Sequence, residues 1–126
     1  MSVVGIGNDI VEIGRIKNMA DKARERLAIR VLTQVEHQKY QNSKQSVSYL
    51  AKRWAGKEAA AKALGRGIAD GISFQHFEIS NLASGQPILT LTGRALEIAQ
   101  QMNAQQFHIS LSDEKEYALA FVVLSQ

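Results

Sequence analysis

The hydrophobic pattern of this sequence changes period at the glycine-rich segment 65–71. Before this segment, apolar residues mostly recur at the three-to-four-residue spacing of an amphipathic helix. After it, apolar and polar residues alternate in short runs, which is typical of strands with one buried face. Helices followed mainly by consecutive strands favour hairpins in an antiparallel or mixed sheet over alternating parallel units. The sequence therefore predicts an α+β fold, with the sheet packed against a long central helix and shorter helices.

The predicted elements include two helix starts with a capping-box pair, Asp9 with Glu12 and Thr33 with Glu36. The longest predicted helix has five alanines in its second half, and Gly65 follows where a left-handed cap is expected. In chain order, the pattern predicts a strand at 2–7, helices at 9–20, 24–32, 33–40 and 46–64, strands at 74–80 and 88–92, a helix at 95–102, and strands at 107–112 and 117–124.

Length and composition limit the classes of protein that this chain can belong to. With 126 residues, 45% of them apolar, we expect residues 1–126 to form a single globular domain. The absence of cysteine excludes disulfides, thiolate metal sites and a cysteine nucleophile. The apolar run 117–124 is too short for a membrane-spanning helix, which needs about 20 residues. Residues 2–7 lack the features of a signal peptide, so a cytoplasmic protein with no membrane contact is expected.

The charges are distributed unevenly along the chain. Residues 15–66 contain 13 basic and 4 acidic side chains, whereas the remaining residues contain 2 basic and 8 acidic ones. The basic part is therefore expected to meet an anionic partner. One alternative is a small basic nucleic-acid-binding protein, which the sequence pI of about 9.3 favours. Helix-turn-helix patterns, zinc ligands and interleaved aromatic and basic strand residues are all missing, which argues against nucleic acid as the partner.

Glu58 is the most informative acidic residue of the long predicted helix. On a helical wheel it falls within the apolar stripe of that helix, and Lys62 lies one turn further on. Burial of an unpaired ion is costly, so Glu58 must pair with Lys62, coordinate a cation or be protonated. The apolar residues of this stripe are Val47, Leu50, Ala51, Trp54 and Ala61.

Asp9 and the segment 65–67 each allow two interpretations. Asp9 follows a predicted strand, where a carboxylate could cap a helix or ligate a hard cation. The amides of Gly65, Arg66 and Gly67 could surround a phosphate, with Lys62 and Arg53 neutralising its charge, or they could form an ordinary helix cap. Two carboxylates and a lysine around a polyphosphate would suit Mg²⁺.

Three familiar catalytic patterns are absent. A dinucleotide fingerprint would need a third glycine where Ile10 stands, and no P-loop lysine sequence is present. A hydrolase triad built from His108 and the serines that follow it is rejected. Alternate residues of one strand lie about 7 Å apart, which is too far for His108 to deprotonate either serine directly.

Two segments of the chain resemble known motifs of one enzyme family. Residues 5–16, GIGNDIVEIGRI, resemble the amino-terminal signature of the holo-[acyl-carrier-protein] synthases. Residues 53–65, RWAGKEAAAKALG, resemble the second motif of that family. The likeness continues through residues 85–87 and 108–112 to the last strand, and so covers essentially the whole chain.

The resemblance implies a 4′-phosphopantetheinyl transferase of the short, single-domain type. Such an enzyme moves phosphopantetheine from coenzyme A to a serine of apo acyl carrier protein in fatty acid biosynthesis, and it releases adenosine 3′,5′-bisphosphate. It would be Mg²⁺-dependent and homotrimeric, with an active site at each subunit interface. A non-catalytic relative that only binds carrier proteins is the third possibility, and the intact Asp9, Glu58 and Lys62 argue against it.

The resemblance also assigns roles to individual residues. Glu58, directly or through a water molecule, is expected to accept the proton of the carrier serine. Two positions depart from the common pattern: Asp113 stands where many relatives have histidine, and Gln86 replaces the usual lysine. By position, Asp9 and Glu58 match the Mg²⁺ ligands, and Lys62 matches the lysine at the coenzyme phosphates. The coenzyme pocket is matched by Arg53, Gly65 and Gly67. Pro87 and His108 match residues from a neighbouring subunit, and Arg15 matches a carrier-protein contact.

Overall fold

The computed structural model describes residues 2–126 and has the expected mixture of helices and antiparallel strands. The predicted α+β class is confirmed. Besides one short 3₁₀ turn at Phe74–His76, the elements are β1 (Val3–Glu12), α1 (Ile13–Lys17), α2 (Asp21–Val31), α3 (Gln34–Asn42), α4 (Ser46–Ala63), β2 (Phe77–Asn81), β3 (Pro87–Leu91), α5 (Gly93–Gln101), β4 (Gln106–Asp113) and β5 (Tyr117–Ser125).

The strands form two antiparallel sheets. The larger sheet has the order β1-β5-β4, and β2 and β3 form a separate hairpin. Helix α4 packs against the inner face of the larger sheet, where the buried side chains of β5 are mostly small. The approach is closest at Gly7, where an added Cβ would overlap the carbonyl oxygen of Ala59. Only glycine at this position lets β1 lie directly against the backbone of α4.

The first predicted helix is largely wrong. Strand β1 does not end near Gly7 but continues to Glu12, with Asp9 opposite Ala120 and Val11 opposite Ala118 in β5. The helix that follows has only five residues, and its N-cap is Glu12 rather than Asp9. Apolar residues at helical spacing favour a helix here. Pairing with β5 supplies backbone hydrogen bonds to the strand, and a local sequence pattern carries no information about that pairing.

The other helices agree with their predictions. In α3, Thr33 and Glu36 form both hydrogen bonds of the predicted capping box. Helix α4 has nearly the predicted bounds, and Gly65 follows it with φ +80°. The predicted strand at 74–80 begins instead with the 3₁₀ turn, and β2 starts at Phe77.

The face of the larger sheet opposite α4 carries exposed apolar side chains. Ile6 and Ile10 of β1 and Leu119 and Phe121 of β5 are each about half exposed. Ile10 and Leu119 are register partners, so the apolar side chains form a continuous surface, which we call the outer sheet face. Within residues 2–126 no helix is long and apolar enough to span a lipid bilayer.

Candidate active site

The candidate site lies where β1 crosses α4. Because side chains alternate along a strand, Gly7, Asp9 and Val11 face the helix rather than the outer sheet face. The ammonium of Lys62 donates a hydrogen bond of 2.8 Å to Oδ1 of Asp9 and one of 3.1 Å to the carbonyl oxygen of Asn8. The close approach at Gly7 thus brings a carboxylate of the strand beside a lysine of the helix.

Glu58 lies one helical turn before Lys62 and beside Asp9. Burial raises the pKa of Glu58, and the negative charge of Asp9 raises it further, whereas Lys62 and Arg30 act in the opposite direction. A Glu58–Lys62 ion pair, one of the three alternatives for Glu58, is not formed, because the Lys62 ammonium is paired with Asp9. The structure therefore places two mutually repelling carboxylates at one site, with a single lysine bound to one of them.

The donor chemistry of this site fits Mg²⁺ shared with a phosphate ligand. Among residues 2–126 no group of three or more His, Asp or Glu side chains is placed to hold a metal ion. Mg²⁺ is usually held by one or two carboxylates together with substrate phosphates and water rather than by a complete protein cage. Asp9 and Glu58 supply this smaller number of ligands.

Two arginines surround the site. Arg15 of α1 stacks 5.5 Å from the ring centroid of Trp54, which lies one turn before Glu58 on α4. Arg30 of α2 stacks 5.4 Å from the ring of Phe74, and its charge acts on Glu58. Arg30 therefore brings part of the positive charge predicted for residues 15–66 to the candidate site. Of these two arginines only Arg15 was a predicted site residue, because the proximity of Arg30 depends on tertiary packing.

Arg53 and Pro87 belong to a different part of the subunit. Arg53 is 4% exposed, donates a hydrogen bond of 2.7 Å to Oδ1 of Asn81, and stacks 4.4 Å from the ring of Tyr49. Asn81 is the register partner of Pro87 at the end of the β2–β3 hairpin. Since Arg53 precedes Glu58 by five residues, the two point about 140° apart around the helix. Within this chain, Arg53 and Pro87 do not lie at the site that contains Asp9.

Gly65, Arg66 and Gly67 form the cap of α4. The amides of Gly65 and Gly67 donate to the carbonyls of Lys62 (2.8 Å) and Ala61 (3.1 Å), and the Arg66 amide also donates to Ala61. These amides satisfy carbonyl groups at the helix end, as the helix-cap interpretation requires, and contact of residues 65–67 with a phosphate stays a prediction. The Arg66 side chain lies 3.4 Å from Asp70. Gly65 and Gly67 have positive φ angles and open space beside them, so the surface next to the cap is accessible.

His108 lies on the outer sheet face, on the opposite side of the sheet from Asp9. It is opposite Val123 in the β4–β5 pairing, and its Nε2 is 3.2 Å from Oγ of Ser125. Asp113, at the end of β4, accepts a hydrogen bond of 2.8 Å from Ser48 and lies 3.3 Å from the ammonium of Lys52. The Ser48 hydrogen bond lowers the pKa of Asp113, and the Lys52 charge lowers it further.

Lys57 and Glu36 form a buried ion pair that was not predicted from the sequence. Lys57 is fully buried, and its ammonium lies 2.6 Å from Oε1 of Glu36. Of the predicted apolar stripe of α4, Leu50, Ala51 and Ala61 are buried, whereas Val47 and Trp54 are only partly so. The available signals were the presence of Lys57 in the second motif and of Glu36 in a capping box, but neither indicates burial.

Comparison with known proteins identifies the family. The family model of the 4′-phosphopantetheinyl transferase superfamily matches residues 5–122, and this chain belongs to that superfamily. The chain is 49% identical over its full length to the whole holo-[acyl-carrier-protein] synthase of Photorhabdus laumondii. The fold matches that of the synthase from Neisseria meningitidis with a TM-score of 0.89 and 38% identity, covering 99% of this chain and 100% of that one.

A second solved structure adds a ligand to the comparison. The synthase of Helicobacter pylori, in complex with coenzyme A, matches with a TM-score of 0.81 and 32% identity. The match covers 95% of this chain and 99% of the Helicobacter chain. Similarity to holo-[acyl-carrier-protein] synthases therefore extends over the entire fold.

Proposed function

We propose that this protein is a phosphopantetheinyl transferase that moves 4′-phosphopantetheine from coenzyme A to a serine of apo acyl carrier protein. The full-length likeness to holo-[acyl-carrier-protein] synthases supports this activity and both substrates. The observation that carries the proposal is the convergence of Asp9, Glu58 and Lys62 from β1 and α4. The leaving product is adenosine 3′,5′-bisphosphate.

We propose that Asp9 and Glu58 are the protein ligands of a Mg²⁺ ion. Bound there, the ion would supply positive charge beside the coenzyme A pyrophosphate, whose β-phosphorus would form a bond to the serine oxygen as its bond to the leaving adenosine 3′,5′-bisphosphate breaks. The support is that burial and, after it, the negative charge of Asp9 raise the pKa of Glu58, and a divalent cation would relieve the repulsion between the two carboxylates. The small number of protein ligands leaves coordination positions for phosphate oxygens and water.

Lys62 would bind phosphate, and Glu58 would accept the proton of the carrier serine. The Lys62 side chain is 49% exposed, so its ammonium is accessible to the coenzyme phosphates. In this role it stabilises the negative charge that develops on the leaving bisphosphate. Glu58 accepts the proton of the attacking serine, directly or through a water molecule.

The partner surface for acyl carrier protein is proposed to include Arg15. Stacking on Trp54 holds its guanidinium one helical turn from Glu58, where an acidic carrier would contact it while presenting its serine. Attraction between the basic segment 15–66 and an anionic partner mainly increases the rate of encounter.

The quaternary structure is proposed to be a homotrimer with shared active sites. Arg53 matches a coenzyme-pocket position of the family, and Pro87 and His108 match positions contributed by a neighbouring subunit, yet all three lie away from Asp9 within one chain. The apolar outer sheet face, which carries His108, supplies a surface by which a second copy could bring such residues to the site. We further propose that residues 1–126 are one transferase domain and that the protein is cytoplasmic.

Mass spectrometry of the carrier protein tests the activity and the site together. Incubation with apo carrier, coenzyme A and Mg²⁺ should add one phosphopantetheine group of about 340 Da to the carrier. Asp9→Ala and Glu58→Gln should each slow this transfer at least about 100-fold while remaining folded, since each removes a metal ligand. Glu97→Gln, an exposed carboxylate of α5 outside the basic segment, is the matched control and should transfer at the unmodified rate. Folded Asp9 and Glu58 variants that transfer at the unmodified rate would exclude the proposed site.

A further inference from the structure

Lys57 stands immediately before Glu58 in the second sequence motif, yet it faces the interior of the protein. Its side chain is 0% exposed, and its ammonium donates to three acceptors. These are Oε1 of Glu36 at 2.6 Å, the carbonyl oxygen of Val31 at 2.7 Å and the carbonyl oxygen of Phe74 at 3.2 Å. All three protons of the ammonium are therefore used.

Glu36 extends this network to two further segments. Its Oε1 also accepts from the amide of Thr33 at 2.9 Å, and its Oε2 accepts from the amide of Ile79 at 2.7 Å. Through one ion pair, α4 is joined to the end of α2, the start of α3, the 3₁₀ turn and β2. A buried ion pair is by itself weak evidence for stability, because desolvation opposes the attraction between the charges. The specific geometry that the pair imposes is the more informative property.

The long buried side chains of the first half of α4 are Leu50 and Arg53. The second half, which carries Glu58 and Lys62, has few side chains besides Lys57 that resist rotation of the helix. Side chains lock helices by fitting ridges into grooves, and alanine and glycine form only shallow ridges. In the second half of α4, the only long side chain that is fully buried is that of Lys57. The other buried residues of that half are Ala55, Gly56, Ala59, Ala60, Ala61 and Ala63.

We propose that Lys57 is a positioning residue that fixes the rotation of α4 about its axis, so that Glu58 and Lys62 face Asp9. The proposal rests on the proposed function, in which Glu58 and Asp9 hold a divalent cation. A 20° rotation of the helix moves a Cβ atom by about 1 Å. A displacement of that size at a reacting centre can lower a rate about 100-fold.

The test compares Lys57→Met with Ile98→Ala, a buried substitution in α5 that is matched for loss of stability. Chemical denaturation first establishes conditions in which both variants are folded. We expect Lys57→Met to raise the Mg²⁺ concentration for half-maximal velocity at least about tenfold and to lower kcat about 100-fold. It should also weaken binding of Mn²⁺, titrated by electron paramagnetic resonance in the presence of coenzyme A. Ile98→Ala should leave all three quantities at their wild-type values.

The proposal is overturned if folded Lys57→Met keeps the wild-type Mg²⁺ dependence and kcat, or if Ile98→Ala changes them equally. If Lys57→Met does not fold, Glu36→Gln takes its place, because it weakens the ion pair and keeps the side-chain shape. A smaller change in the same direction supports the proposal, and wild-type values reject it. Glu58→Gln separates the two hypotheses. Wild-type Mn²⁺ binding in Glu58→Gln refutes the metal site itself. If Glu58→Gln loses Mn²⁺ binding but Lys57→Met binds Mn²⁺ like the wild type, only the role of Lys57 is refuted.

Discussion

The candidate site depends on a residue with no side chain. Gly7 lets β1 approach α4 so closely that Asp9, two residues later on the same face of the strand, reaches Lys62. The same close contact explains why a glycine precedes the acidic residue of the first motif by two positions. At this residue, backbone proximity rather than hydrogen bonding or charge sets the geometry of the site.

We expect Gly7→Ala to destabilise the fold by about 1–3 kcal/mol, because the added methyl group overlaps the backbone of Ala59 and forces the strand away. The control is Gly14→Ala in α1, where the nearest atoms to an added Cβ are 3.9 Å away. That control should be neutral or stabilising, since alanine favours helix. Urea denaturation measures both free energies of unfolding. Equal stability of the two variants would contradict the close approach of β1 and α4.

At the level of the element, local signals predicted the helices better than they predicted β1. Helix α3 begins at the predicted Thr33 cap, and α4 ends where Gly65 supplies a positive φ angle. Capping depends on residues within one or two turns of each other, so a sequence contains the necessary information. Strand β1 depends on β5, which lies more than a hundred residues away, and a local pattern cannot report that pairing.

The capping box of α3 gives a second prediction. Thr33→Ala should lower the free energy of unfolding by about 0.5–2 kcal/mol, because the amide of Glu36 loses its acceptor. The hydroxyl of Thr33 also donates to Glu78, and this hydrogen bond of 2.7 Å is lost as well. Thr33→Ser keeps the oxygen and should retain most of the stability in the same denaturation experiment. An alanine variant as stable as the serine variant would show that the cap contributes nothing.

On the scale of the whole molecule, the outer sheet face is the surface that the proposed homotrimer would bury. One face of β1 and β5 packs on α4, and the opposite face carries the large apolar side chains of Ile6, Ile10, Leu119 and Phe121. An exposed continuous apolar surface of this kind marks a site of association. The position of His108 on the same face connects association to the proposed active site.

Phe121→Asp tests that association. Placing a charge at the centre of the outer sheet face should dissociate the oligomer, which light scattering would detect as a loss of mass. Val35→Asp is the matched control, because Val35 is also an exposed apolar residue but lies on α3. The fold of both variants should persist, since neither side chain is in the core. A wild-type protein that is monomeric, or a Val35 variant that dissociates equally, would reject the assignment of this face.

The sequence alone determined the α+β class, the caps at Thr33 and Gly65, the basic segment and the residues that carry the family motifs, because these properties depend on composition or on neighbours within a few positions. Only the tertiary structure decided the length of β1, the burial of Lys57 and Glu36, and the separation of Arg53, Pro87 and His108 from Asp9 within a subunit. Each of these depends on contacts between segments far apart in the chain. The free energy that decides them comes from burial and pairing rather than from local preference.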